Sequence, residues 1–333
     1  MASIFSLSVA APAATQWTIE TVRGPVPASQ LGLALEHEHI LVDFIGADRV
    51  NTDRYDPNEV FRVALPHLEA AAAWGVKALF ECTPAYLARD PLLLKRLSEA
   101  SGLHLVTNTG LYGAANDTFL PDYAFTETAA ELAARWTEEA RDGIDGTGIK
   151  PGFIKTAVDR EPDLSPVDRK LIEAAALTHR ETGLTIAVHT GAGPGLEILA
   201  VLEEYGVRPD AFIWVHAQSA TDEAILEAAR TGAWISLDGI NRNSLERHAA
   251  ALALLKDKGL LDRALLSHDA GWFDPEKPGG GTYRGYQTLF TDFIPLLHER
   301  GFTADEIART LTGNVAEAFA RRTRLINPDT RTK

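Results

Sequence analysis

The stretch Leu33-Ala-Leu-Glu-His-Glu-His-Ile-Leu-Val-Asp43 sets two histidines, His37 and His39, one residue apart inside an apolar run. An apolar run of this length reads as a buried strand, and on a strand residues i and i+2 share a face. The two imidazoles therefore stand side by side, which is how a strand presents a pair of metal ligands. Alone, such a pair is equally readable as core histidines with satisfied hydrogen bonds, because imidazole serves both roles. The rest of the chain decides between them.

Four later strand-like runs each end in a side chain able to hold a metal: Gly152-Phe-Ile-Lys-Thr156 with Lys155, Leu184 to His189, Ala211 to His216, and Arg263 to Asp269. Lys155 and His189 are 34 residues apart, His189 and His216 27, and His216 and Asp269 53. A (β/α)8 barrel uses roughly 30 residues per unit, so the first two steps are one unit each and the third is two. Gly232 to Asp238 supplies the skipped strand, and Val76 to Cys82 and Leu103 to Asn108 fit between His39 and Lys155. Helical spacing of apolar residues marks Val60 to Trp74, Asp168 to Thr182, Thr221 to Thr231, Leu245 to Lys258 and Ala304 to Arg321, several closed by glycine. The expected fold is α/β, a (β/α)8 TIM barrel forming a single domain over residues 18–333. Its ligands lie at the C-terminal strand ends, where barrels of this kind do chemistry.

Composition agrees. The 333 residues are 45% hydrophobic and 23% charged, as in a globular chain, and no internal linker divides them. With 32 basic and 46 acidic residues the net charge is −14, which argues against nucleic acid and anionic membrane as partners and for a soluble protein. Cys82 is the only cysteine, so disulfides within the chain and a thiolate zinc site are excluded; it is expected to pack in the core. Residues 1–17 read as an N-terminal extension. Ala10-Ala-Pro-Ala-Ala14 is similar to the end of an export signal, but no Lys or Arg precedes it, which leaves cytoplasmic and exported locations open. Oligomeric state is open too, a homodimer included.

These residues resemble the phosphotriesterase family of the amidohydrolase superfamily from about Thr18 onward. The likeness is carried by Val22-Arg-Gly-Pro25, His37-Glu-His39, Phe153-Ile-Lys155, His189, His216, Ser267-His-Asp269 and Leu311-Thr-Gly-Asn314. It implies two divalent cations, usually zinc, bridged by a Lys155 carboxylated by CO2. His37, His39 and Asp269 would hold the more buried ion, and His189 and His216 the more exposed one. Desolvation lowers an amine's pKa, and a neutral amine can add CO2 to give a bidentate carbamate. A water bridging the ions is then expected as the nucleophile, with Asp269 accepting its proton. Glu38 points the other way by strand alternation and is expected to support the ligands rather than join them.

In the organophosphate-hydrolysing members a histidine after strand seven and an aspartate three residues beyond the strand-six histidine relay the proton. The corresponding places here are Gly239 and Ser219, which argues against efficient phosphotriester hydrolysis. Tyr112, in Thr109-Gly-Leu-Tyr112, is similar to the pocket tyrosine of the lactonase branch. Trp272 and Phe273, with Tyr283, are expected to wall the substrate, and Gly279-Gly-Gly281 to form a mobile lid. The reading is a metal-dependent hydrolase of a carboxylic ester or lactone. A phosphotriesterase or other phosphoester hydrolase is the alternative, and a metal-containing binding protein without turnover the alternative of a different class.

Overall fold

The computed structural model describes residues 17–161 and 163–326; the expected extension at residues 1–17 lies, apart from Trp17, outside them. A short antiparallel hairpin, β1 (Thr18–Thr21) and β2 (Gly24–Pro27), comes first. The barrel strands follow: β3 (Ala34–Glu38), β4 (Ala78–Glu81), β5 (His104–Val106) continued by β6 (Asn108–Thr109), β7 (Phe153–Ala157), β8 (Thr185–His189), β9 (Phe212–Val215), β10 (Trp234–Leu237) and β11 (Ala264–Leu266). All their pairings are parallel. β3-β4-β5 form one sheet and β6 to β11 the other. Thr107 lies between β5 and β6, so the third stave pairs with β4 by its first half and with β7 by its second. The ring closes where Asp269 N donates to His37 O (3.0 Å) and His39 N to Ala270 O (2.8 Å). The eight expected strands are these eight staves.

β3 and β7 are buried at every position. This is what a parallel sheet covered on its outer face by helices and filled within by side chains requires. α1 (Pro57–Ala73), α2 (Pro91–Ser101), α4 (Ala129–Asp142), α5 (Pro166–Thr182), α6 (Gly195–Glu204), α7 (Asp222–Thr231) and α8 (Leu245–Asp257) form the jacket; α3 (Asp122–Thr126) is one short turn beside α4. Side chains of Asp56, Asp90, Thr128, Ser165 and Thr221 cap the N-termini of α1, α2, α4, α5 and α7, satisfying amides that have no partner within the helix. Gly183 and Gly232 end α5 and α7 in the left-handed conformation, as their stop signals predict.

The C-terminal helix departs from expectation. Ala304 to Arg321 is not continuous: Thr312 (φ −128°, ψ −81°) breaks it into α10 (Ala304–Leu311) and α11 (Gly313–Phe319), after α9 (Ile294–Glu299). The break lets Asn314 Nδ2 donate to the carbonyls of Leu261 (3.0 Å) and Ala264 (2.8 Å) beneath β11. It also turns Phe319 inward, 4.0 Å from the Phe80 ring and 5.4 Å from Phe153, to plug the barrel floor. With the floor filled, the working space is at the opposite end.

No helix among the described residues is long and apolar enough to cross a membrane.

Candidate metal centre

His37 lies on β3 and His39 just beyond its end, their ring centroids 5.5 Å apart and both facing Asp269. His39 Nε2 is 3.1 Å, and His37 Nε2 3.8 Å, from Asp269 Oδ1. A second pair stands alongside. His189 ends β8 and His216 follows β9, with His216 Nε2 2.8 Å from His189 Nδ1 and the His37 ring 5.1 Å from that of His216. Lys155, the middle residue of β7, is buried in the same barrel. The structure thus gathers five of the expected ligands into two adjoining sets and buries the sixth.

The hydrogen bonds fix which ring nitrogens are left over. His39 Nδ1 is 2.8 Å from Thr83 Oγ1, and the Thr83 hydroxyl donates to Glu81 Oε1 (2.5 Å). A hydroxyl whose proton is committed to a carboxylate can only accept from His39, so His39 carries its proton on Nδ1 and offers the Nε2 lone pair. His216 Nδ1 is held by Asp238 Oδ1, which leaves Nε2; His37 Nδ1 faces Asp238 Oδ2 at 3.3 Å without a formed hydrogen bond, and its Nε2 faces Asp269. His189 Nε2 meets the Tyr112 hydroxyl at 3.2 Å, which leaves Nδ1. All four histidines turn a ring nitrogen toward the same region.

That donor set fits divalent cations. Ligand atoms of His37, His39 and Asp269 lie within 4.8 Å of one another, and Asp269 Oδ1 is buried without a hydrogen-bond partner. Such an orphaned carboxylate oxygen is costly unless a cation satisfies it. Burial lowers the His37 pKa to about 4 and takes that of His189 well below its usual value, so these rings are neutral, as ligation requires. Burial also lowers the Lys155 pKa, opposed by the charges of Cys82, Asp269 and nearby acids, which moves its amine toward the neutral form that adds CO2. Burial would raise the Asp269 carboxyl, but its contacts with the His39 and His37 imidazoles hold it below the ordinary range.

Sequence reasoning missed Asp238. It follows β10, is fully buried, and accepts from His216 N (3.0 Å), His216 Nδ1, Gln218 Nε2 (3.1 Å) and Ser236 Oγ (2.7 Å), besides facing His37. One carboxylate therefore orients a ligand from each set. Ser236 Oγ also contacts Glu36 Oε1, and one hydroxyl cannot donate to two carboxylates. Glu36 must bring the other proton. Burial and the Asp238 charge raise its pKa, whereas the facing His216 and His37 rings outweigh burial and hold Asp238 well below the usual carboxylate range. The signal was present: β10, like the other strands of the set, ends in a residue with ligand chemistry.

Glu38 does support the ligands, by closing the barrel. Its carboxylate accepts from Ser267 Oγ (2.8 Å), His268 N (2.9 Å), His268 Nδ1 (2.7 Å) and Ala270 N (2.8 Å). These four bonds pin the turn after β11 and hold Asp269 in the left-handed region (φ +50°), turned into the mouth. Left-handed backbone costs a non-glycine residue about 1 to 3 kcal/mol, which the clamp offsets. Cys82 is buried in the barrel core and burial pushes its thiol well above the usual range, which leaves it inert.

Of the expected substrate residues, Tyr112 and Trp272 reach the site and Phe273 does not. Trp272 packs on His39 (4.6 Å), then on Phe44 (5.5 Å); Phe44 meets Phe119 (5.8 Å), Phe119 meets Tyr112 (5.9 Å), and Tyr112 meets His189 (5.1 Å). An aromatic arc thus spans from one ligand set to the other. Phe273 points the opposite way, into the core, where Gly280 packs so closely that a Cβ there would lie 2.2 Å from its ring. Tyr283 stacks on His67 of α1 and bonds Tyr286, outside the arc. The Gly279 to Gly281 run is correspondingly no lid: Asp274 N donates to Gly280 O (3.0 Å), and the run folds back on Phe273. A cavity of about 640 Å³ against Arg89, Glu139 and Tyr123 contains none of the expected ligands.

Residues 17–319 match the model of the phosphotriesterase family. The chain belongs to the phosphotriesterase family. Among its relatives are the phosphotriesterase homology protein of Escherichia coli (strain K12), 32% identical over 86% of this chain and 98% of that protein. The aryldialkylphosphatase of Saccharolobus solfataricus is 30% identical over 89% of this chain and 97% of its own. Among solved structures, a multiply substituted variant of a phosphotriesterase-like lactonase from Deinococcus radiodurans superposes with a TM-score of 0.82 at 27% identity, covering 91% of this chain and all of that one. The phosphotriesterase-family fold is a TIM barrel, and a metal-dependent hydrolase is the activity this membership supports.

Proposed function

We propose that this phosphotriesterase-family protein hydrolyses a carboxylic ester or lactone, using two divalent ions, zinc in the first instance, with Lys155 carboxylated as their bridge. The observation that carries the acyl reading is the Tyr112 hydroxyl, 3.2 Å from His189 Nε2 at one end of an aromatic arc, where a phenol can bond the ring or ester oxygen of a flat acyl substrate. Its pKa is raised, chiefly by burial, so it stays a donor. When bound, the ions supply an acidified water and a Lewis acid for the acyl oxygen.

In this reading His37, His39 and Asp269 hold the inner ion, His189 and His216 the outer one, and Asp238 fixes one ring of each set. Asp269 has a second task. Its side chain is about one-fifth exposed to the cleft and ionised at neutral pH, so it can accept the proton released as the nucleophile attacks and pass it to the leaving oxygen. Trp272, Phe44 and Phe119 exclude water around the acyl group. Among the described residues, Gly239 has no side chain to serve as the relay, and both ring nitrogens of the nearby His248 are engaged by carbonyls of Ser244 and Asp238. That argues against the phosphotriester alternative.

The test is a panel of small lactones, aryl carboxylic esters and aryl phosphotriesters, assayed with the metal-loaded protein and its Tyr112→Phe variant. Lactone or ester turnover should exceed phosphotriester turnover. The variant should lose about 1 to 3 kcal/mol on lactones, the worth of a hydrogen bond to a buried polar group, and less on phosphotriesters. Equal losses on both would remove the seating role, dominant phosphotriester turnover would select the alternative substrate class, and a fully metallated protein without turnover would select the binding protein.

A further inference from the structure

The C-terminal face of the barrel carries a ring of cations, and most are neutralised. Arg54 is paired with Asp43, Arg242 with Asp292 and Lys277 with Asp274. Arg284 differs. It is exposed on the loop after β11, and its guanidinium lies 5.9 Å from the centroid of the Trp272 ring, the ring that packs on His39. Its hydrogen-bond acceptor is the backbone carbonyl of Asp269. A carbonyl and an aromatic face hold a guanidinium in place without cancelling its charge.

We propose that the substrate carries an oxyanion beyond the bond to be broken, a carboxylate, sulfonate or phosphate, and that Arg284 binds it at the mouth. The inference rests on the acyl-hydrolase reading for the bond that breaks, but the anion subsite is testable apart from it. A chain of net charge −14 repels anions at long range. An anionic substrate therefore needs local cations whose charge is uncancelled, and a neutral one would gain little from a guanidinium fixed beside the inner ligands. Arg284 presents a planar, forked donor, the geometry that matches a carboxylate or phosphate.

Two measurements on the metal-loaded protein decide it. In the first, kcat/KM is compared for the mono-4-nitrophenyl ester of glutaric acid and for 4-nitrophenyl pentanoate, which has the same chain without the charge. The anionic ester should be preferred about tenfold or more, that preference should fall with salt, and Arg284→Gln should abolish most of it while Arg284→Lys retains part. Because the readout is the ratio, damage to Asp269 through its carbonyl lowers both substrates and leaves the ratio alone; an unchanged ratio overturns the proposal. In the second, calorimetry compares glutarate with butyrate, which needs no turnover. Glutarate should bind about tenfold tighter to the wild-type protein, and that gain should vanish in Arg284→Gln. Equal affinities would overturn the subsite even if esters are hydrolysed, and a glutarate preference without ester turnover would uphold the subsite and reject the ester reading.

Discussion

Asp269→Asn is expected to lower kcat/KM by about 10² or more on every substrate the protein accepts, the usual worth of a positioned proton acceptor. The substitution keeps shape and removes charge. Asp269 is held ionised by His39 and His37, its Oδ1 has no hydrogen-bond partner, and its side chain reaches the cleft, so ligation and proton transfer are lost together. The Glu38 clamp acts on the backbone around residue 269 and on Ser267 and His268, so the turn itself should survive. An unchanged melting temperature of the metal-free protein with uniformly reduced rates across the substrate panel is the expected pattern. Wild-type rates would undo the assignment.

Asp238→Asn should have the second largest effect, by a different route. The amide cannot accept at both oxygens, as the carboxylate does from His216 Nδ1, His216 N and Ser236, and it places a donor where an acceptor is needed. With the proton positions of His216 and His37 no longer fixed, divalent-ion affinity should fall about 10- to 100-fold, the range seen when a partner orienting a metal ligand is removed. Chelator competition measures this without an assay of turnover. Because Asp238 touches no substrate, activity restored at saturating metal is the signature of a positioning role; a loss of activity that excess metal cannot repair would show that it acts on the reaction itself.

The barrel was legible because its strands advertise themselves twice, as apolar runs and as runs ending in His, Lys or Asp at steps of one βα unit. The candidate ligands were picked out for the same reason, and the structure brings their side chains together. What escaped was information that sits in the backbone. Thr312 has an ordinary side chain, and the break it makes follows from the need of Asn314 to reach the floor of β11. Phe273 was read as a pocket residue with Trp272, yet Trp272 is left-handed (φ +76°) and the two side chains part to opposite sides. The Gly279 to Gly281 run suggested mobility by composition, whereas Gly280 is needed for lack of a Cβ against Phe273. Asp238 was passed over although its run also ends in a side chain with ligand chemistry, because it binds the histidines rather than standing among them, and the strand spacing does not separate those two roles.

The central claim is a two-ion centre bridged by Lys155, and elemental analysis of the purified protein beside its Lys155→Ala variant tests it most directly. The wild-type chain should hold close to two divalent ions, and the variant should lose at least one of them while remaining folded. A single ion or none in the wild-type chain after growth in metal-supplemented medium, or an intact complement of two in the variant, would contradict it.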